Sequence, residues 1–215
     1  MGLTAREPEN KGLNPVSQGL HHAICYGLYD LGTQYNETFG KSSHKVLIAW
    51  EIPGERITIE KNGEKLDLPR AISKQYTLSL HEKSQLRKDL ESWRGKAFSD
   101  QEREGFDITK LLGANCMVQV LHKTKDGKTY ANVSNVVQLP KGMSKMNPEN
   151  GTKYFSFEEH QDAIPEGTPD WIKDIIKASE EWAMINDGGR DERNHSVGSS
   201  AEDGDPGPQE DDIPF

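Results

Sequence analysis

The sequence has little of what secreted and membrane proteins need. Its 215 residues contain only two cysteines, too few for a disulfide scaffold, so we expect a reducing, intracellular compartment. No apolar run approaches the roughly 18 residues of a membrane span. The first 15 residues, MGLTAREPENKGLNP, lack the apolar segment of a secretory signal. These absences predict a cytoplasmic protein with no membrane partner.

Catalytic and metal-binding motifs are also missing. The chain has no Walker loop, no GxSxG, no HExxH and no CxxC. His21, His22 and Cys25 lie close together, and Cys116 and His122 follow later, but this spacing is not that of a zinc site. We therefore predict no catalytic residue, no metal and no cofactor. Both cysteines are expected to be small buried side chains.

The net charge of −9 is unevenly distributed along the chain. Residues 1–40 have a net charge of −2, whereas residues 41–146 carry 19 basic and 13 acidic side chains, net +6. Residues 147–186 are net −6 and residues 187–215 are net −7. A basic middle followed by two acidic segments indicates an anionic partner for the middle and a different role for the end.

The last 29 residues contain only four apolar side chains. Such a segment buries too little apolar surface to offset the entropy of ordering it. The predicted organisation is a flexible N-terminal arm at 1–20, a folded domain at 21–146, an acidic extension at 147–186 and a disordered acidic tail at 187–215.

The pattern within the predicted domain is mostly that of β-strands. Aromatic and β-branched residues predict strands over 21–32, 45–52 and 74–80, with a turn at Pro53-Gly54. The segment 56–68 predicts a hairpin around Asn62-Gly63, since a type I′ turn needs two residues that tolerate positive φ. A longer hairpin is predicted over 115–140 around Asp126-Gly127.

Helical periodicity interrupts the strands before the last hairpin. Residues 79–95 place Leu80, Leu86, Leu90 and Trp93 on one face and end at Gly95. A short helix is predicted over 106–113. A helix inserted before the last two strands of a small β unit is the layout of an OB-fold barrel. The predicted fold class is therefore mostly β with added helices, an OB-fold barrel of order β-β-hairpin-β-α-β-β. A generic α+β domain and an SH3-like barrel are the alternatives.

A second amphipathic helix is predicted over 168–187, with Thr168 as its N-cap and Pro169 in its first turn. Its apolar stripe includes Ile172, Ile176 and Trp182. We expect this stripe to pack on the barrel. The alternative is that it forms a dimer or partner surface.

The chain ends in Glu210, Asp211, Asp212, Ile213, Pro214 and Phe215. Phe215 can fill an apolar pocket, its terminal carboxylate can pair with a cation, and the acids can follow a basic rim. This ending resembles the C-terminal tip of bacterial single-stranded DNA-binding proteins. The resemblance implies that residues 211–215 recruit replication, recombination or repair enzymes, and that the DNA-binding part is an OB-fold.

The body departs from that bacterial family, because the helix at 79–95 and the segment at 147–186 are additions. A divergent body with a host-like tail is more similar to a bacteriophage-encoded single-stranded DNA-binding protein, which would act in the cytoplasm of the bacterial host. The sequence leaves self-association into a homo-oligomer open.

Binding of single strands without sequence preference needs cations along a groove and aromatic faces for stacking. Trp93, Phe98 and Phe106 are predicted to be structural, while Trp50 could be core or binding face. The predicted DNA contacts are Tyr35, Phe39, Lys41, Lys45, Trp50, Arg70, Lys74, Tyr76, Lys123, Lys125, Lys128 and Tyr130. These residues lie in strands or loops where aromatic and basic side chains alternate.

Three functions remain as hypotheses at this point. The first is a non-enzymatic single-stranded DNA-binding protein that protects DNA and recruits enzymes. The second is an adaptor or decoy that engages host repair enzymes through DDIPF without binding DNA. The third is a metal-dependent nuclease whose carboxylates the sequence does not identify.

Overall fold

The computed structural model describes residues 15–186, apart from Asn62 and the side chain of Lys61. The predicted tail at 187–215, with its tip, and most of the predicted N-terminal arm lie outside the described residues. Within the described part of that arm, Val16 is buried and the first strand already begins at Gly19. β1 therefore begins within the last two residues of the predicted arm.

The fold is built on six β-strands: β1 (Gly19–Asn36), β2 (Lys41–Lys61), β3 (Glu64–Thr77), β4 (Asn115–Lys125), β5 (Lys128–Gln138) and β6 (Lys153–Phe155). The first five pair antiparallel in the order β3-β2-β1-β4-β5, and β6 joins β1 in parallel. β1 is central because its first half pairs with β4 and its second half with β2. The prediction of a mostly-β chain with added helices is confirmed.

The strands are longer than the sequence pattern suggested. Pro53-Gly54 is not a turn, because the chain passes through it as an irregularity between Ile52 and Arg56 and continues in β2. β3 likewise unites the second arm of the predicted hairpin with the predicted strand at 74–80. A bulge tolerates proline and glycine because its residues leave the ladder of hydrogen bonds. Two long strands thus replace four short ones.

Both predicted hairpin turns are confirmed. β2 and β3 pair up to the residues that flank positions 62 and 63, and Gly63 has a φ of 82°. The turn between β4 and β5 places Asp126 at a φ of 50° and Gly127 at 76°. Positive φ at both central residues is the type I′ geometry, whose twist matches the flanking strands.

The helices between β3 and β4 are α1 (Gln85–Arg94), α2 (Asp100–Glu104) and a 3₁₀ helix (Ile108–Leu111). α1 ends at Gly95 with a φ of 68°, as predicted, but it begins six residues later than residue 79. Residues before α1 form a turn in which the Ser84 hydroxyl donates to the carbonyl of Ser79 at 2.7 Å. Local bonds of this kind compete with a helix.

The main core lies between the sheet and these helices. Trp93 and Phe98 are both buried, and Phe106 packs against the same cluster, so their predicted structural role is confirmed. Cys25 and Cys116 are fully buried and unbonded to each other. Burial raises the pKa of the Cys25 thiol to about 12, which keeps it protonated and unreactive at neutral pH.

The helix predicted over 168–187 is two helices, α4 (Asp170–Lys177) and α5 (Glu180–Asn186), which follow a short α3 (Phe157–His160). The Ser179 hydroxyl breaks the run, since it donates to the carbonyl of Ile176 at 2.7 Å and accepts from the N–H of Trp182 at 3.2 Å. Thr168 is not the predicted cap, because its hydroxyl donates to the carbonyl of Pro165 at 2.8 Å.

These helices pack on the strands rather than standing apart. Ile172 and Ile176 are buried in a second cluster with Tyr29, Leu47 and Phe155. At α5 the Glu181 carboxylate accepts hydrogen bonds from the N–H and the hydroxyl of Thr33, at 2.6 and 2.7 Å. Within the described residues, no helix is long and apolar enough to cross a membrane.

Candidate nucleic-acid interface

A cavity among the described residues lies where the far ends of β2 and β3 face the turn between β4 and β5. Its volume is about 860 Å³. Apolar side chains supply much of the wall, including Ile57 and Ile59 from β2 and Leu68 and Ile72 from β3. We call this cavity the hairpin groove. It brings together segments that are more than fifty residues apart in the chain.

Cations and aromatic rings also line this wall. Arg70 enters from β3, Lys128 and Tyr130 from β5, Tyr26 from β1 and Lys153 from β6. Among the lining residues that the structure describes there is no carboxylate. An apolar wall with rings and positive charges fits a ligand that has flat faces and anionic groups, because stacking and charge pairing act on different parts of it.

The β4–β5 hairpin adds further positive charge beside the groove. Lys123 lies directly opposite Tyr130 in the strand register, and Lys125 lies opposite Lys128. Like charges at directly opposite positions repel each other. A bound anion between Lys125 and Lys128 would remove this repulsion, so the register favours an anionic ligand at the turn.

A second group of predicted residues lies far from this groove. Tyr35 and Phe39 are exposed by 63% and 43% near the β1–β2 turn, together with Lys41. Lys45 is close by and donates from Nζ to the hydroxyl of Thr77 at 3.1 Å. The β1–β2 turn and the β4 pairing occupy opposite ends of β1. The structure therefore does not bring these residues into the hairpin groove.

Two predicted contacts belong to the interior instead, and a third, Lys74, is half-buried and tied to an interior carboxylate. Trp50 is fully buried, with its ring centroid 5.9 Å from that of Trp93. Tyr76 is also buried, and its hydroxyl donates to Asp89 at 2.8 Å, while Lys74 forms an ion pair with the same carboxylate at 2.9 Å. A buried ring offers no face to a base. Trp50, Lys74 and Tyr76 are therefore corrected to structural residues.

Some groove residues were missed by sequence reasoning. Tyr26, Asn150 and Lys153 line the groove, although Lys153 lies in a segment whose net charge is negative. The placement of Asn150 depends on Glu51, a fully buried carboxylate. Glu51 accepts from the N–H groups of Glu149 and Asn150 at 2.7 and 3.0 Å, and from Asn150 Nδ2 at 2.9 Å.

Glu51 has two effects on the groove. It fixes the backbone at residues 149–150, which leads into β6, where the Lys153 ammonium donates to the carbonyl of Gly167 at 2.6 Å. Its negative charge, together with burial as the larger cause, raises the pKa of the Tyr26 phenol to about 12. A tyrosine with its ordinary pKa is already neutral at physiological pH, so this shift only widens the pH range over which Tyr26 presents an uncharged ring. The only sequence signal for this arrangement was an acid within a run of strand residues.

Within residues 15–186, no three His, Cys, Asp or Glu side chains are grouped so that they could hold a metal ion. The hairpin groove brings rings, cations and apolar side chains together. No protein-family model matches the chain, and no curated protein matches it either.

Proposed function

We propose that this protein binds single-stranded DNA through the hairpin groove, without strong sequence preference, and recruits enzymes through its C-terminal tip. The observation that carries the proposal is the composition of the groove: two tyrosines, three cations and an apolar wall, with no carboxylate among the described lining residues. Each base has a π-face and each nucleotide a phosphate, so this combination serves any sequence.

The strand arrangement supports an OB-fold as the finer description of the fold. An OB-fold is a five-stranded, partly open Greek-key barrel that binds its ligand on strands 2 and 3 and on the loops between strands 1–2 and 4–5. Here the helices come between β3 and β4, and the order is β3-β2-β1-β4-β5. β3 and β5, at the two ends of this order, also contact each other. The hairpin groove lies between β2–β3 and the β4–β5 turn, which are two of these three binding parts, whereas the β1–β2 turn lies away from it.

In the proposed complex, Lys123, Lys125 and Lys128 neutralise successive phosphates while a base stacks on Tyr130. The apolar side chains of β2 and β3 pack against sugars and base edges. The exposed rings of Tyr35 and Phe39, with Lys41 and Lys45, would contact the strand only after it has passed along β1. The chain would act without catalysis of its own.

The test is to change Lys123, Lys125 and Lys128 together to glutamine and to measure binding to a labelled oligonucleotide at several salt concentrations. Each phosphate contact contributes about −0.7 to the log–log salt slope for single strands. Loss of three contacts should flatten the slope by about 2. The measurement is fluorescence anisotropy of the labelled DNA.

A matched control changes three exposed lysines outside the groove, Lys83, Lys88 and Lys177, so that the net charge is the same. This control should keep the wild-type slope. A Tyr130→Ala variant should weaken binding by the roughly 1–3 kcal/mol of one stacked base and leave the slope unchanged. An unaltered slope in the hairpin variant would contradict the proposed contact. Failure of the wild type to bind would favour the adaptor hypothesis.

Deletion of 187–215 should tighten DNA binding slightly. The segment has nine acidic and two basic residues, and these charges compete with phosphate for the groove when salt is low. The gain should fade at high ionic strength, where screening removes the competition. A titration of the truncated chain beside the full chain measures both effects. A large loss of affinity on truncation would contradict the separate roles of groove and tail.

A further inference from the structure

A second cavity lies at the other end of the β4–β5 hairpin. It has a volume of about 480 Å³ and is enclosed by the end of α1, the 3₁₀ helix, the base of the hairpin and residues 139–145. Asn115 fastens this last segment, because its side chain donates to the carbonyl of Met146 and accepts from the N–H of Met146, both at 2.9 Å. We call this cavity the base pocket.

The base pocket repeats the chemistry of the hairpin groove. Four cations line it, namely Arg94, Lys110, Lys141 and Lys145, and the lining residues described include no carboxylate. The half-buried Phe106 contributes aromatic surface, Trp93 reaches the wall from the core with only 6% of its surface exposed, and Met143 and Pro140 contribute apolar surface. All four cations lie outside the β4–β5 hairpin, so they are separate from the lysines that lie at the hairpin groove.

Arg94 is held in place while part of its guanidinium group stays unused. The guanidinium lies 4.3 Å from the ring centroid of Phe98 and 5.0 Å from that of Phe106. One terminal nitrogen pairs with Glu102. The other, Nη1, is buried and finds no hydrogen-bond partner among the described residues. An unpaired buried donor is costly. Because Nη1 is inaccessible, Arg94 contributes positive charge to the pocket rather than a free hydrogen-bond donor.

We propose that the base pocket binds a second stretch of the same DNA strand that occupies the hairpin groove. This inference rests on the proposed function. The two cavities are separated by the length of the hairpin, from the pair Cys116–Gln138 to the pair Lys125–Lys128. At about 3.4 Å per residue this is roughly 30 Å. Single OB domains cover about 4–16 nucleotides, so a strand at the upper end of that range reaches both cavities.

An acidic peptide could also be attracted by the four cations. The pairing of aromatic surface with cations favours nucleic acid, because it occurs at both ends of one hairpin and both cavities lack lining carboxylates. A short acidic peptide would need only one of these two cavities, so it does not account for their similarity.

The experiment compares two oligonucleotides, of about 4 and about 16 nucleotides, with the full chain and with the variant Lys110→Gln/Lys141→Gln/Lys145→Gln. The short DNA fills the hairpin groove but does not reach the base pocket. The variant should bind the short DNA like the wild type, and the long DNA about tenfold more weakly at low salt, with a salt slope flattened by up to about 2. All three lysines are exposed, so folding should be unaffected.

The outcomes separate this proposal from the one on which it rests. If the wild type binds both DNAs and the variant binds the long one equally well, the base pocket is not a DNA site, although the proposed function stands. Another outcome is that the variant loses the same affinity for the short and the long DNA, or that the Lys83/Lys88/Lys177 control loses as much affinity for the long DNA as the variant does. In either case a general charge effect is responsible and the proposal is overturned. A DDIPF peptide could also be added. If it binds the wild type but not the variant, and does not displace the long DNA, the base pocket is a peptide site and the proposal is overturned. If the wild type binds neither DNA, both proposals fail.

Discussion

Removal of Phe215 is expected to weaken recruitment of partner enzymes about thirtyfold or more, with no change in DNA affinity. In the proposed mode this residue supplies both the buried ring and the terminal carboxylate. Its deletion empties the pocket on the partner and moves the carboxylate onto Pro214. A central aromatic anchor typically contributes about 2 kcal/mol or more to a small interface, which corresponds to that factor.

A second variant separates the two contributions of the tip. One extra residue after Phe215 keeps the ring but displaces the carboxylate, and it should be nearly as harmful. The measurement is polarisation of the labelled full chain with a bacterial exonuclease or helicase that docks on such tails. The matched control is Glu202→Gln, which alters charge in the same segment but away from the tip. Normal binding of that enzyme by the deleted and extended chains would show that the tip does not recruit it.

The substitution Asp89→Ala is expected to lower the free energy of unfolding by about 3 kcal/mol or more. The Asp89 carboxylate is only 3% exposed. It accepts hydrogen bonds from the Tyr76 hydroxyl, from Lys74 Nζ and from Gln85 Nε2, at 2.8, 2.9 and 2.8 Å. Removal of one member of a largely buried ionic pair leaves the other charge and a buried hydroxyl without partners, and such losses cost about 3–5 kcal/mol.

Urea unfolding followed by circular dichroism measures this effect, and Asp67→Ala is the control. Asp67 also pairs with a cation, Arg56, but its side chain is 60% exposed, and exposed pairs contribute about 0–1 kcal/mol. Equal stability of the two variants would contradict the structural role that we assign to Asp89, Lys74 and Tyr76. Lys74 would then return to the set of candidate DNA contacts, whereas Tyr76 stays buried.

The turns and the alternation of the strands could be predicted because they depend on neighbouring residues. Asp126-Gly127 needs only two residues tolerant of positive φ, and it forms a turn wherever it joins two strands. Pro53-Gly54 carries a similar signal but lies in a bulge, because pairing between β2 and β3 continues on both sides of it. Local sequence does not show whether pairing resumes after an interruption.

The groove was harder to predict, because it depends on which face of each strand is covered. Tyr76 and Tyr130 have similar sequence surroundings, each a tyrosine in a strand that follows basic residues. α1 covers Tyr76 and provides Asp89 as its partner, while Tyr130 lines a cavity. Glu51 binds the backbone of Glu149 and Asn150, which lie almost a hundred positions later in the chain and shortly before Lys153. Only the tertiary structure brings such residues together.

The positions of the four tryptophans determine what the intrinsic fluorescence of this protein can report. Trp50 and Trp93 form a close pair in the main core, and Trp171 and Trp182 pack at the second cluster. The hairpin groove is lined by tyrosines, whereas Trp93 lines the base pocket. DNA confined to the groove would therefore leave the tryptophan emission nearly unchanged. A change in emission that occurs only with a longer strand would report a rearrangement around the nearly buried Trp93 at the base pocket.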